Sequence, residues 1–199
     1  MNIHTGEELL DDYLVNSGTA EELDDILDRA SDEFFGKDDI PNDEVLVFIE
    51  IGKNSNIKYE YDSKLKALIC DRILSTPVKY FFNYGFIENT KSDDGDALDA
   101  VVLIDEELLS GSYIRCKIIG CLETNDNEGD DPKMIVVPIT KVAMSCKNIN
   151  NLNDISELTK DKLIHFFTHY KDLEKGKFIN VKEFVDKERA VEIYKDSKL

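Results

Sequence analysis

The chain has 199 residues, 42% hydrophobic and 33% charged, and its 42 acids against 24 bases give a formal net charge of −18. Such a composition can build a full globular core, and such a charge argues against duplex nucleic acid as a partner. The longest unbroken apolar run is five residues, as in Val45–Ile49, too short to span a membrane, and the stretch after Met1 has neither the basic start nor the apolar centre of a secretory signal. A reducing, cytoplasmic setting is therefore expected. It suits the four cysteines, Cys70, Cys116, Cys121 and Cys146, which show no zinc spacing and read as core thiols. Cys116 and Cys121 lie five apart on one predicted strand and should face opposite sides of it.

The charge is unevenly spread. Residues 1–44 hold 15 acids against Arg29 and Lys37, a balance of −13, whereas the other 155 residues hold 27 acids and 22 bases, a balance of −5. Residues 1–43 read as an acidic extension and 44–199 as the main domain. In the extension, Thr19-Ala20-Glu21-Glu22 is a capping-box pattern. Leu23, Ile26, Leu27 and Ala30 follow at helical spacing, predicting a short amphipathic helix that ends near Gly36. Isolated helices of this length are marginal in water, so the stripe is expected to dock, on this chain or a partner, or to stay disordered.

From Glu44 the pattern is that of strands. Val45–Ile51 is the first. Ile57-Lys58-Tyr59-Glu60-Tyr61 alternates with period two, which places Lys58 and Glu60 on one face. Turn residues Asp62-Ser63-Lys64 join it to Ala67–Ile73 as a hairpin. The aromatic stretch Tyr80–Ile87 is strand and turn. An acidic turn then leads into the apolar run Ala100–Ile104. Tyr113–Leu122 is a long strand, followed by a second acidic turn from Asp126 to Lys133 and a strand over Met134–Ile139. Short strands at regular spacing suggest a closed or nearly closed antiparallel barrel. The helical signal comes late: acids near Asp154 and Glu157 at the positive end, a stripe of Leu163, Phe166, Phe167, Tyr170 and Leu173, and Gly176 as the stop. Phe178–Lys182 adds a strand, and Lys187–Lys195 a last helix. The class is α+β.

The first acidic turn carries the chemistry. Asp94, Asp96 and Asp99 project from the mouth of a buried strand. At about 5 Å spacing and an effective dielectric near 20, each like-charged pair costs roughly 3 kcal/mol. Gly95 alone would explain an ordinary turn. The calcium helix-loop-helix pattern does not fit, because Leu98 falls on a ligand position and the closing Glu is missing. Other polar residues interrupt apolar strands or stand at their mouths: Glu50, Lys58, Glu60, Arg72, Tyr84, Asp126, Asp131, Lys133, Tyr170 and Lys171. Carboxylates mixed with cations and phenols suit a site that holds several Mg²⁺ ions together with a highly charged phosphate. His165 and His169 have zinc-compatible spacing but lack a third ligand and read as surface or structural residues.

These residues resemble the soluble family I inorganic pyrophosphatases. The signature Asp-x-Asp-x-x-Asp is present as Asp94-Gly95-Asp96-Ala97-Leu98-Asp99. Ile57-Lys58-Tyr59-Glu60, Asp71-Arg72, Asn83-Tyr84-Gly85, the turn from Asp126 to Lys133, and His165 to Leu173 follow in the family's order over about residues 45–185. Ala97 replaces a usual Pro, Phe81 stands in a commoner Tyr-Pro-x sequence, and Gly52 is often Pro; none of these moves a carboxylate. The extension falls outside the resemblance.

The resemblance implies a five-stranded, OB-like barrel that hydrolyses inorganic pyrophosphate to two phosphates through a metal-activated water, without a covalent intermediate. It implies that Asp94, Asp99 and Asp131 hold the metals that activate the water, and that Glu60, Asp126 and again Asp131 hold metals arriving with substrate. Asp96 is the implied general base or orienting group, supported by Tyr84. Lys58, Arg72, Lys133, Tyr170 and Lys171 are the implied phosphate ligands, and Glu50 lines the pocket. Several Mg²⁺ ions per site and a homo-oligomer, hexamer or dimer, are implied with them. The alternative is a non-catalytic, divalent-metal-binding β-barrel interaction module.

Overall fold

The computed structural model of the protein describes residues 41–92, 95–127 and 129–199. The helix expected within residues 1–43, and Asp94, lie outside them. Among the described residues the order is β1 (Glu44–Ile51), β2 (Ile57–Asp62), β3 (Ala67–Ile73), β4 (Asn83–Ile87), β5 (Asp99–Val102), β6 (Tyr113–Asp126), β7 (Lys133–Pro138), two short 3₁₀ turns, α1 (Glu157–His169), β8 (Ile179–Val185) and α2 (Lys187–Asp196). No helix among them is long and apolar enough to cross a membrane.

Strands β1, β4, β5, β7 and β6 pair in that order, and β6 pairs back to β1, closing a five-stranded barrel. The expected OB-like α+β fold is present, with one refinement. A ring of five strands cannot alternate direction all the way round, so one adjacent pair must run parallel. That pair is β5–β7, in the register Ala100–Met134, Val101–Ile135 and Val102–Val136. At 14 residues β6 is long enough to serve two neighbours along one edge: Tyr113–Lys117 pair with β1, and Cys121–Asp126 pair with β8 outside the ring.

Alternation along the strands separates two apolar layers. Val45, Val47 and Ile49, with Ala100, Val102, Ile118 and Val136, fill one together with Ala190 and Tyr194 of α2. The opposite faces carry Tyr84, Val101, Ile135 and Val137, which pack with Leu163, Phe166 and Phe167 of α1. Gly85 is required where β4 crosses close to β1, because a Cβ there would lie 1.8 Å from the Phe48 carbonyl oxygen.

Cys116 and Cys121 depart from the expected opposite faces. The β6–β7 register slips between Ile118 and Gly120, and the extra residue resets the alternation. Cys116, Ile118 and Cys121 therefore share one apolar layer, while Ile119 and Leu122 join the other. Cys70 is also not a core thiol: it is exposed on the β2–β3 hairpin, which forms a separate two-stranded sheet.

Ser156 caps α1 by accepting from Thr159 N at 3.1 Å. The helix ends one residue before Tyr170, so Leu173 falls past it and is 64% exposed rather than part of the stripe. Turns then run to Gly176, whose φ of +75° suits a residue without Cβ. His165 and His169 are both exposed on α1, and His169 Nδ1 lies 2.8 Å from Asp172.

Candidate active site

The hairpin, the barrel wall and the end of α1 enclose a cavity of about 700 Å³. Among the residues singled out from the sequence, Glu50, Lys58, Glu60, Arg72, Tyr84, Asp96, Asp99, Asp126, Asp131, Lys133, Tyr170 and Lys171 all line it. Asp94, the remaining one, lies outside the described residues. They come from β1, β2, β3, β4, β5, β6, β7, the loops before β5 and β7, and the turn after α1.

The floor is aromatic. Tyr80, Phe82, Tyr84, Phe166, Phe167 and Tyr170 form a contiguous group, with Tyr80 and Phe166 centroids 4.8 Å apart and Phe166 and Tyr170 stacked at 5.2 Å. This packing leaves the tyrosine oxygens as the polar tips of apolar bodies. Tyr84 donates its hydroxyl to Asp99 Oδ2 at 2.6 Å. Burial, reinforced by Asp99 among other neighbours, pushes the Tyr84 phenol well above its ordinary range, and burial does the same to Tyr170. Both remain protonated donors at any physiological pH.

The acids in this wall are paired with cations. Lys133 is only 2% exposed and bonds both Asp99 and Asp131. Burial works against its ammonium, but the two carboxylates more than offset it and raise its pKa. Lys171 donates to Asp126 at 2.9 Å, and Lys58 to Glu60. Lys58 and Arg72 are cross-strand neighbours on the hairpin. Two cations placed side by side repel each other, yet Asp71 and Glu174 hold Arg72 in place at 2.5 and 2.9 Å. Among the described residues no three acids already converge as a metal cage. Lys133 occupies the space between Asp99 and Asp131.

This donor set fits hard divalent cations. The carboxylates supply only oxygen, as such ions require. Burial is the first cause that lifts Asp131 to about 6, with Lys133 opposing and Asp99 adding to it. An acid whose charge is disfavoured by burial and by a second acid gains compensation when a cation arrives. Glu50 is a second strained acid. Burial lifts it to about 7, against the lowering effect of the Tyr61 amide that donates to it at 2.8 Å, while Asp99 adds to the rise.

The sign of the Glu50 effect is testable. Between pH 4.5, its ordinary value, and about 7, the folded chain holds a proton there that the unfolded chain has released. Stability therefore falls as pH rises through that window. In EDTA, urea midpoints of the native chain should fall more steeply from pH 5 to about 7 than those of Glu50→Gln. Parallel profiles would contradict the assignment.

Three contributors were not singled out from the sequence. Glu174 orients Arg72 across 102 positions, a separation for which no local pattern exists. Tyr80 and Lys177 also line the cavity. Tyr80 reads in sequence as one more core aromatic, and Lys177 as one more surface lysine after a turn.

A family profile described as inorganic pyrophosphatase matches residues 47–198. The inorganic pyrophosphatase of Nanoarchaeum equitans is 49% identical over 155 residues, covering 77% of this chain and 95% of that one. Among solved structures, the inorganic pyrophosphatase of Helicobacter pylori superposes with a TM-score of 0.77 at 41% identity, over 79% of this chain and 92% of that one. That of Thermus thermophilus gives 0.77 at 35% identity, over 80% and 91%.

Proposed function

The chain belongs to the soluble family I inorganic pyrophosphatases, and on that premise we propose that it hydrolyses inorganic pyrophosphate to two phosphates with Mg²⁺. The observation that carries this reading is the pairing of acids and cations in one cavity: Asp99 and Asp131 with Lys133, Asp126 with Lys171, Glu60 with Lys58. A substrate made of phosphate and divalent metal can exchange every partner at once. The carboxylates turn to the metals, and the ammonium and guanidinium groups turn to phosphate oxygens. A purely anionic or purely cationic ligand would satisfy only half of them.

Asp94, Asp99 and Asp131 are the proposed holders of the activating metals, and Glu60, Asp126 and Asp131 of metals that come with substrate. Bound there, divalent cations would supply Lewis acidity and lower the pKa of a water from about 15.7 toward neutrality. Asp96 takes or orients the proton of the attacking water. Tyr84 fixes the Asp99 carboxylate by its hydrogen bond. Lys58, Arg72, Lys133, Tyr170 and Lys171 hold phosphate oxygens and stabilise charge that grows on the leaving phosphate. Glu50 sets the charge of the pocket wall. No serine, cysteine or histidine nucleophile belongs to the set, so transfer goes directly to water.

A homo-oligomer, hexameric or dimeric, belongs to the same reading. It is supported by exposed apolar side chains such as Leu109, Val142, Met144 and Leu158. Residues 1–43 are proposed as an accessory segment and 44–199 as the catalytic domain.

The test is phosphate release from pyrophosphate. Rapid release with Mg²⁺, abolished by EDTA and restored by added metal, is expected. A folded chain that binds Mg²⁺ but releases no phosphate would instead be the non-catalytic metal-binding module.

A further inference from the structure

The acidic turn that bears Asp96 and Asp99 is braced from outside the cavity. Its two arms meet at Thr90, which is 4% exposed. Thr90 Oγ1 donates to Ile87 O at 2.6 Å and accepts from Leu98 N at 3.0 Å, one residue before Asp99. Ile87 N donates to Leu98 O at 2.8 Å, and further in Ser92 N donates to Asp96 O at 2.6 Å. One hydroxyl thus joins the end of β4 to the entry of β5.

The same arm carries a second tie. Thr90 and Lys198 form an antiparallel bridge. Lys91 N donates to Ser197 O at 2.7 Å, and Leu199 N to Asn89 O at 3.2 Å. Asn89 takes a φ of +58°, a left-handed conformation that asparagine tolerates, and so turns the chain into this pairing. Residues 197–199 are themselves anchored: Ser197 N donates to Ile193 O, Ser197 Oγ to Tyr194 O at 2.8 Å, and Tyr194 packs in the apolar layer with Ala190.

We propose that Thr90 and the 197–199 segment are positioning elements of the acidic turn, fixing Asp96 and Asp99 relative to β5 without touching substrate. The proposal rests on the roles given above to those two acids. It separates two halves of the site. The turn bears Asp96 and Asp99, whereas four of the five proposed phosphate ligands, Lys58, Arg72, Tyr170 and Lys171, stand on the hairpin and at the end of α1, which this brace does not reach; the fifth, Lys133, starts β7 and meets the turn only through Asp99. Loosening it should lower turnover and metal affinity far more than pyrophosphate affinity, which rests mainly on the four ligands the brace does not reach.

The experiment compares the native chain with Thr90→Val, which keeps the branched shape and loses the hydroxyl, with Thr90→Ser, which keeps the hydroxyl, and with Leu199→Pro, which removes one donor of the second tie. Each is measured for kcat and KM, for Mg²⁺ affinity by calorimetry, for exchange of the Leu98 amide without metal, and for thermal unfolding. Thr90→Val is expected to lower kcat and weaken Mg²⁺ binding by about tenfold each, the scale on which groups behind metal ligands act. KM should stay within about twofold by the same separation of halves, and exchange at Leu98 should quicken. Thr90→Ser should behave as native, and Leu199→Pro should follow Thr90→Val in milder form. Unchanged turnover and metal affinity in Thr90→Val would overturn the proposal, as would a serine variant no better than the valine one. A native chain that releases no phosphate overturns the functional reading instead, and the brace is then decided by Mg²⁺ affinity and amide exchange. Failure of Thr90→Val to fold leaves Leu199→Pro to decide it by the same readings.

Discussion

Asp96→Asn should release phosphate from pyrophosphate at least about 10²-fold more slowly than the native chain. Asp96 is exposed at the cavity mouth, on a turn rather than in the core. Its replacement by an amide of the same shape therefore removes no packing. It removes a negative charge and a proton acceptor, the two properties that a base or water-orienting group needs, and general-base catalysis contributes about 10²–10⁴-fold. The loss should appear in kcat, with KM little changed, because the cations proposed to hold phosphate stand on other elements. Single-turnover phosphate release at saturating Mg²⁺ is the measurement. A rate within threefold of native would remove Asp96 from the role and leave Asp99 or Glu50 to be tried next.

Lys133→Met should cost about 3–5 kcal/mol of stability without metal, the usual price of removing one partner from a buried ion pair. Lys133 is buried between Asp99 and Asp131, and methionine fills nearly the same volume without its charge. Two carboxylates then face each other, and burial already disfavours the charge on one of them, Asp131. The effect should be conditional. Mg²⁺ can take the place of the ammonium between the acids, so urea unfolding should recover part of the loss with the metal and none with EDTA. Equal losses in both conditions would mean that packing, and not charge, is what Lys133 provides. Activity should fall as well, because the same side chain is proposed to hold a phosphate oxygen.

Much of this architecture is legible in residues close together in the chain. The hairpin follows from the period of Ile57–Tyr61 and the turn at Asp62-Ser63-Lys64, and α1 from its stripe and cap. Glu60, Arg72 and Lys171 stand out because charge interrupts patterned elements or closes a helix. Where sequence reading fails, the cause is an interaction that sequence spacing does not encode. The bulge before Gly120 flips the faces of β6, so counting residues from Cys116 to Cys121 misplaces one of them. Leu173 keeps the helical spacing, but the helix has already ended at His169. Glu174 is one acid among many until folding sets it against Arg72.

The odd strand count has one more effect. In a ring whose neighbours all run in opposite directions, the starts of adjacent strands lie at opposite rims, and the loops feeding them never meet. The parallel seam is the place where two adjacent strands begin at the same rim. At that seam β5 begins with Asp99 and β7 with Lys133, one residue before the paired Ala100 and Met134. The two acidic turns therefore enter the barrel shoulder to shoulder, although Asp99 and Asp126 lie 27 positions apart in the chain. The parity of the ring, more than any single side chain, decides where on this barrel a cluster of acids can gather.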